Sequence, residues 1–328
     1  MGATIRDVAR AAGVSPSTVS RALAMSDLVS PATIERVRRA AASLGYEPNP
    51  VARGLITGRT GNLGMIVPDL GNPFFPGVVK GVQARAREAD YAVFVADTDE
   101  DAALEARLVR KLAKQVDALV LCSSRLTDDE LRAVAADVAL VLLNRKVDDI
   151  PAIVPDNADG MRQAIAHLAA LGHRRVGVTA GPVSSWTGSE RVAGLRAAAR
   201  TAGVDLVELG NFAPTFQGGV AAADIVLAAG VSAVVAYNDV MALGLMNRFA
   251  ARGVSVPADI SVVGCDDIPL AAMSNPPLTT VAVPKEPLGR AGVDLVRRLL
   301  EREEGLTPRL ALDTQLLVRG TTGPVRPG

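Results

Sequence analysis

Cysteine and histidine are nearly absent, two of each in 328 residues, and that scarcity removes much of the chemistry a chain of this length could carry. Cys122 and Cys265 stand far apart and without metal-ligand spacing, so they read as buried free thiols in a reducing compartment. His167 falls in a helical stretch and His173 in the turn GHRRVG, and neither completes a nucleophile–base arrangement. There is no Walker-type phosphate loop and no metal cluster, and no cofactor is expected. Long apolar runs are lacking too: no stretch could span a bilayer and the N-terminus has no apolar leader region, so a cytoplasmic protein is expected. No leucine heptad tail follows Arg319, so nothing supports a tetramer made by a C-terminal coiled coil. Net charge is also missing. The 35 basic residues balance 35 acidic ones, which taken alone argues against a nucleic-acid partner.

The balance is uneven along the chain. Residues 1–60 hold eight Arg and four acids, +4, which leaves 27 basic and 31 acidic residues, −4, for the rest. A basic head on an acidic body suits a DNA-binding module joined to something that is not one. Within that head, Ile5, Val8, Ala9 and Ala12 recur at the spacing of one helix face, with Thr4 in front as a cap and Asp7 three residues on. Gly13 supplies a residue suited to positive φ, Ser15 caps a second helix and Pro16 takes its first position. Val19, Ala22 and Leu23 face inward, while Ser17, Ser20, Arg21 and Ala24 form a short polar side. That side fits a major groove and can present Arg21 to a guanine edge. Helix–Gly–helix is also what any small helical hairpin shows, so the motif alone is a weak signal.

Ser30-Pro31 opens a third helix, with Ile34, Val37, Ala41 and Leu44 as its expected buried face and Tyr46 folded back over the core. Pro48-Asn49-Pro50 then introduces a short segment from Val51 to Ile56. It is too short for a stable isolated helix and is weakened by Gly54, so its order is expected to come from a partner.

From residue 63 the pattern changes to short apolar runs alternating with amphipathic helices. Strands are expected over 63–67, 91–96, 118–122 and 139–143, and again over 175–179, 205–209, 233–236 and 260–264. Helices are expected over 75–89, 103–115, 160–171, 190–202, 218–229 and 240–252. The doubled alternation predicts two doubly wound parallel-sheet α/β lobes behind a small all-α helix-turn-helix head. Such sheets bind ligands beyond the carboxyl ends of their strands, which nominates Asp69 and Asn72 to Phe75, then Asn144 and Arg145. The second lobe offers Ser185, Trp186, Thr187 and Arg191, followed by Phe212, Asn238-Asp239 and Asp266-Asp267. Aromatic faces, amides, an Arg and carboxylates suit a hydroxyl-rich or heterocyclic metabolite. Each also has a plainer use: Phe74 and Phe75 as core, Asn72 and Asn238 as helix caps, Asp266 as a loop brace, and Arg191 as the partner of an acid on its own helix.

Strings along the whole chain make the reading specific. TIRDVARAAGVSPSTVSRAL, GYEPNPVARGL and LGMIVPDLGNPFF are followed in order by GHRRVG, SERVAGLRAA, NDVMALG, ISVVGCDDIPLA and PPLTTV. Together they resemble the lac repressor-type (LacI/GalR) family of transcriptional regulators. The resemblance implies base readout by Pro16, Ser17 and Arg21, and phosphate contacts from Thr4, Ser15, Thr18, Ser20, Thr33 and Asn49. It implies a hinge helix around Ala52, Arg53 and Leu55 that forms on the operator and wedges Leu55 into the minor groove. It places Phe74, Phe75, Asn144, Arg191, Phe212, Asn238 and Asp266 against an effector, beside the strand-end candidate Trp186. Departures stand out at Pro16, which has no hydrogen-bonding side chain, and at Ala24, where an Asn is common. Val283 and Lys285 replace a frequent Gln and aromatic residue.

The expected organisation is a head over 1–47, a hinge helix and linker over 48–60, and an effector-binding and dimerisation core over 61–328. The resemblance implies a periplasmic-binding-protein-like core whose chain crosses between lobes near 155, 284 and 308. The N-lobe would then take about 61–155 and 284–308, and the C-lobe about 156–283 and 309–328. The expected function is a ligand-responsive repressor that binds a pseudo-palindromic operator as a homodimer, with a sugar or sugar derivative in the interlobe cleft and no membrane partner. A purine- or nucleoside-responsive co-repressor type of regulator is the alternative. A solute-binding protein would share the two-lobed body but not the head, and an enzyme has no catalytic arrangement to rest on.

Overall fold

The structure is a computed structural model that describes residues 3–24, 29–46, 59–303 and 309–326. It divides into two compact units, residues 1–62 with 114–117 and the remainder of the chain. Of the hinge helix and linker expected over 48–60, residues 48–58, with Asn49, Ala52, Arg53 and Leu55, lie outside the described residues.

The head consists of α1 (Ile5–Ala12), α2 (Pro16–Ala24) and α3 (Pro31–Leu44). The Asp7 carboxylate accepts from the Thr4 backbone N–H at 3.0 Å and from its hydroxyl at 2.6 Å, fixing the first turn of α1. Gly13 turns the chain at φ 64°, and the Ser15 hydroxyl accepts from Thr18 N–H at 3.1 Å to start α2 behind Pro16. Val8, Ala9, Ala12, Val19 and Ala22 bury against Val37, Ala40 and Ala41, with Tyr46 packed on the cluster as expected. Of the expected face of α3, Ile34, Val37 and Ala41 join this core, whereas Leu44 is 41% exposed and Ala40 is buried in addition.

The body is built on two six-stranded sheets. The first contains β1 (Asn62–Val67), β2 (Ala92–Asp97), β3 (Ala118–Cys122), β4 (Ala139–Leu143) and β5 (Ala152–Pro155). The second contains β6 (Arg175–Ala180), β7 (Asp205–Asn211), β8 (Ala233–Ala236), β9 (Ser261–Asp266) and β10 (Thr279–Ala282). Two short strands, β11 (Arg309–Leu312) and β12 (Gln315–Leu317), complete one sheet each. The orders are β11-β5-β4-β3-β1-β2 and β12-β10-β9-β8-β6-β7, so both lobes repeat one winding scheme. Central strands β1, β3, β4 and β9 are buried almost throughout, whereas β2 and β7 at the edges alternate with exposed positions. Strand β12 runs antiparallel to β10.

In the N-lobe, α4 (Phe74–Glu88), α5 (Ala102–Leu112) and α6 (Asp128–Asp137) connect successive strands. In the C-lobe α7 (Asn157–Ala170) leads into β6, and α8 (Trp186–Ala202), α9 (Phe216–Ala228), α10 (Asp239–Ala251) and α11 (Pro269–Met273) follow β6, β7, β8 and β9. The last helix, α12 (Lys285–Leu300), returns to the N-lobe and packs on α4, β3, β4 and β5. Contact between α4 and α12 is backbone-close: a Cβ on Gly289 would lie 2.2 Å from the Val78 carbonyl oxygen, and one on Gly81 2.3 Å from that of Glu286.

The expected strands and helices are present with ends shifted by a few residues, and α6, α11, α12, β5, β10, β11 and β12 were not among them. One boundary is corrected. Leu310 and its neighbours pair in parallel with β5, so residues 309–312 belong to the N-lobe and the third crossing follows them at 313–314, not near 308. Among the described residues no helix is long and apolar enough to cross a membrane.

Candidate functional site

In the head, α2 presents an outward face at which Pro16, Ser17 and Arg21 are exposed and Thr18 and Ser20 half-buried. The hydroxyls of Ser15, Ser17 and Thr18 cluster at its N-terminus, Ser15 Oγ lying 2.8 Å from Ser17 Oγ and 2.9 Å from Thr18 Oγ1. The dipole at this helix end favours a negative group. Arg21 has no carboxylate partner among the described residues, so its fork is available to a base edge. Thr4 and Thr33 carry hydroxyls already engaged at the starts of α1 and α3, with Asp7 and with Ser30 respectively.

In the core, the carboxyl ends of both sheets converge on a cavity of about 20 Å³, room for about one water. The N-lobe contributes Asn72, Phe74 and Phe75 after β1, Glu100 after β2, Ser123 and Arg125 after β3, and Asn144 after β4. Facing them are Thr187 and Arg191 on α8, Pro214 after β7, Tyr237 and Asn238 after β8, and Asp266 at the end of β9. The winding scheme accounts for this, since each sheet opens a crevice where its strand order reverses. Wider hollows of about 530 and 630 Å³, between α7 and α8 and beside the start of α12, are lined by charged side chains none of which is buried.

The centre of the site is ionic. Arg191 donates to Asn157 Oδ1 at 3.1 Å, to the Tyr237 carbonyl at 2.8 Å and to Asp266 Oδ1 at 2.9 Å, and its guanidinium lies 5.7 Å from the Tyr237 ring centroid. Both partners of the Arg191–Asp266 pair are about 5% exposed. Burial pushes the Asp266 carboxyl above the usual range, and the adjacent guanidinium opposes that shift. A second pair faces it from the N-lobe, where Arg125 meets both Glu100 oxygens at 2.6 and 2.9 Å and the Ser123 carbonyl at 3.0 Å. Burial works against the Arg125 charge, and Glu100 and Tyr237 together more than restore it. Behind the cavity, Asp239 accepts from the Thr280 hydroxyl at 2.6 Å and from Ile268 N–H at 2.8 Å. Burial, with the charge of Asp266, pushes it up to about 8.

Backbone strain collects here as well. Glu100, Ser123, Asn144 and Asp266 have φ of 61°, 50°, 55° and 113°, in or near the left-handed region that non-glycine residues rarely adopt. Ser123, Asn144 and Asp266 stand at strand ends, and Glu100 lies three residues past the end of β2. Asn144 is 4% exposed; its amide nitrogen donates to Ser123 Oγ at 2.7 Å, while its Oδ1 has no partner among the described residues. The lobes also bond across the cleft. Thr187 Oγ1 donates to the Asn144 carbonyl at 2.6 Å, and Lys285 Nζ reaches the Asp266 and Asp267 carbonyls at 2.7 Å each.

Of the eight effector candidates, Phe74, Phe75, Asn144, Arg191, Asn238 and Asp266 line this cavity. Phe74 and Phe75 meet edge to face at 5.1 Å and are buried in the core as well, so the two uses coincide. Asn238 does cap a helix, accepting from Met241 N–H at 2.8 Å. Arg191 pairs across the site and not along its own helix. Trp186 and Phe212 are half-buried and do not border the cavity, and Val283 is a core residue. Glu100, Ser123, Arg125, Pro214 and Tyr237 were not among the candidates. Ser123 and Arg125 stand in the turn after residues 118–122, a strand end of the same kind as the other candidates.

Comparison with known proteins accounts for both ends of this chain. Residues 4–49 match the model for bacterial regulatory proteins of the lacI family, and residues 165–322 that for a periplasmic binding protein-like domain. The HTH-type transcriptional repressor CytR of Escherichia coli (strain K12) is 32% identical over 330 residues, covering 98% of this chain and 96% of the relative. The chain belongs to the lacI family. The crystal structure of the lac repressor dimer bound to operator and the anti-inducer ONPF superposes with a TM-score of 0.85 at 30% identity, covering 98% of this chain and 100% of that one. A complex of the transcriptional regulator CelR with cellobiose does so with a TM-score of 0.72 at 34% identity, over 97% and 99%. This lacI-family protein is thus a DNA-binding transcriptional regulator with a two-lobed α/β core, and not an enzyme.

Proposed function

We propose that this regulator is a cytoplasmic repressor that binds a pseudo-palindromic operator as a homodimer, and that a sugar or sugar derivative in the interlobe cleft sets its DNA affinity. The carrying observation is the buried Arg191–Asp266 pair at the convergence of both sheets, beside Phe74 and the unmet Asn144 Oδ1. Fixed donors and acceptors beside an apolar ring select hydroxyl-rich ligands by geometry. The cellobiose complex of CelR supports a sugar, and the operator complex of the lac repressor supports the dimer on DNA. Phe94, Phe216, Leu270 and Met273 are between 37% and 76% exposed, apolar surface that a second copy would cover.

On the operator, Arg21, Ser17 and Pro16 would face bases, with Thr4, Ser15, Thr18, Ser20 and Thr33 near phosphates. Asn49 would add a phosphate contact, and Ala52, Arg53 and Leu55 would form the minor-groove hinge. Electrophoretic mobility shift on operator fragments, with and without each member of a sugar and nucleoside panel, tests this reading. Specific retardation altered by a sugar supports it; retardation altered only by purines or nucleosides replaces the sugar with the alternative ligand class; no specific retardation removes the repressor.

A further inference from the structure

We infer that Arg125 and Glu100 form a charge filter in the cleft: an effector specificity device that admits uncharged, hydroxyl-rich ligands and turns away their phosphorylated or carboxylated counterparts. The inference rests on the sugar reading above and decides the charge of the ligand. Arg125 is the N-lobe cation of the cavity, with its side chain 2% exposed. Its guanidinium is already satisfied by a bidentate Glu100 and by the Ser123 carbonyl, and Glu100 and Ser123 both hold left-handed backbone to reach it. Opposite it, Arg191 is matched by Asp266. The four ionic side chains that line the cavity therefore sum to zero, and neither cation is left for an anion.

An incoming phosphate or carboxylate would lie beside the Glu100 and Asp266 carboxylates in a site shielded from water, where like charges repel most strongly. Alternatively it would displace Glu100 and leave that carboxylate unpaired. A hydroxyl has the opposite fit. It donates to the two carboxylates and to the unmet Asn144 Oδ1, a buried acceptor that an ionised oxygen cannot serve. Exchanging O and N of that amide would leave an N–H group unmet in the same place, and a hydroxyl satisfies that too.

The test measures, by calorimetry on the full-length protein, binding of ribose, glucose and cellobiose against ribose 5-phosphate, glucose 6-phosphate and glucuronate. The expected result is a neutral sugar bound about tenfold or more tightly than its charged counterpart. In Glu100→Gln, which leaves Arg125 uncompensated, that ratio should fall by about tenfold or invert, while Glu100→Asp retains it. Arg125→Gln, which leaves Glu100 unpaired, should raise the ratio, and it serves if Glu100→Gln fails to fold. A wild-type preference for the charged sugars, or a ratio unmoved in the folded variants, overturns the filter alone. Absence of binding by every sugar, neutral or charged, overturns the sugar reading on which it rests.

Discussion

At the scale of single residues, position relative to solvent decides what each charged side chain does. Arg21 is exposed on α2 and has no partner among the described residues, whereas Arg191 and Arg125 are buried and paired. Arg21→Ala should therefore cost roughly 1–3 kcal/mol on the specific operator and little on random DNA, because a bidentate base contact is lost. Thr18→Ala should weaken both kinds of DNA more evenly; fluorescence anisotropy on the two sequences separates the cases. Equal losses for Arg21→Ala would reduce that residue to a phosphate contact. Asp239 carries a different test. Its carboxyl titrates near 8 in the folded protein against 3.8 ordinarily, so the folded state holds a proton that the unfolded chain has released. Its stabilising contribution is complete below pH 4 and declines as pH rises towards 8, with a slope of up to about 1.4 kcal/mol per pH unit. In Asp239→Asn the amide can donate to Thr280 and accept from Ile268, and urea unfolding between pH 5 and 8 should lose that slope. An unchanged slope would show that Asp239 is ionised in the fold.

At the scale of elements, helix contacts made through glycine set the tolerances. Ala is preferred to Gly within a helix by about 1 kcal/mol, yet at Gly289 the added carbon meets a backbone oxygen that has nowhere to go. Gly289→Ala should lower stability by about 1–3 kcal/mol or more, read as a reduced urea midpoint at unchanged m-value. A neutral or stabilising result would mean that α4 and α12 separate easily. This contact also shows why some of the fold escaped the sequence. Pro287, Gly289 and Gly292 interrupt the helical pattern from Lys285 to Leu300; Pro287 sits in the first turn, where it is tolerated, and the glycines serve packing. Strands β5, β10, β11 and β12 have three or four residues each, too few for any period to show. Long buried runs such as those of β1 and β3 were legible because burial on both faces leaves no polar position. The cleft was legible in part for the same reason: strand ends can be counted, but the pairing of Glu100 with Arg125 depends on left-handed turns that no pattern announces.

At the scale of the whole core, a cavity of about 20 Å³ cannot hold a sugar, so the lobes must part before an effector enters. The bonds from Thr187 to Asn144 and from Lys285 to Asp266 and Asp267 have to break in that step. Stopped-flow binding rates should level off at high effector concentration, and Thr187→Val with Lys285→Met should raise the plateau. A rate rising linearly without limit would show that the cleft is open in solution. The triple crossing has another consequence, for synthesis. Helix α12 and strand β11, which cover and close the N-lobe, follow the whole of β6 to β10 in the chain. The lobe begun first on the ribosome thus receives its cover only after β6 to β10 of the other lobe have been made. Its β3 and β4 wait for their cover through some 140 residues of elongation, roughly 7–28 s at 5–20 residues per second. Fragments ending at residue 283 should leave residues 63–155 open to protease while the released full chain protects them, which makes a nascent N-lobe the expected client of ribosome-associated chaperones.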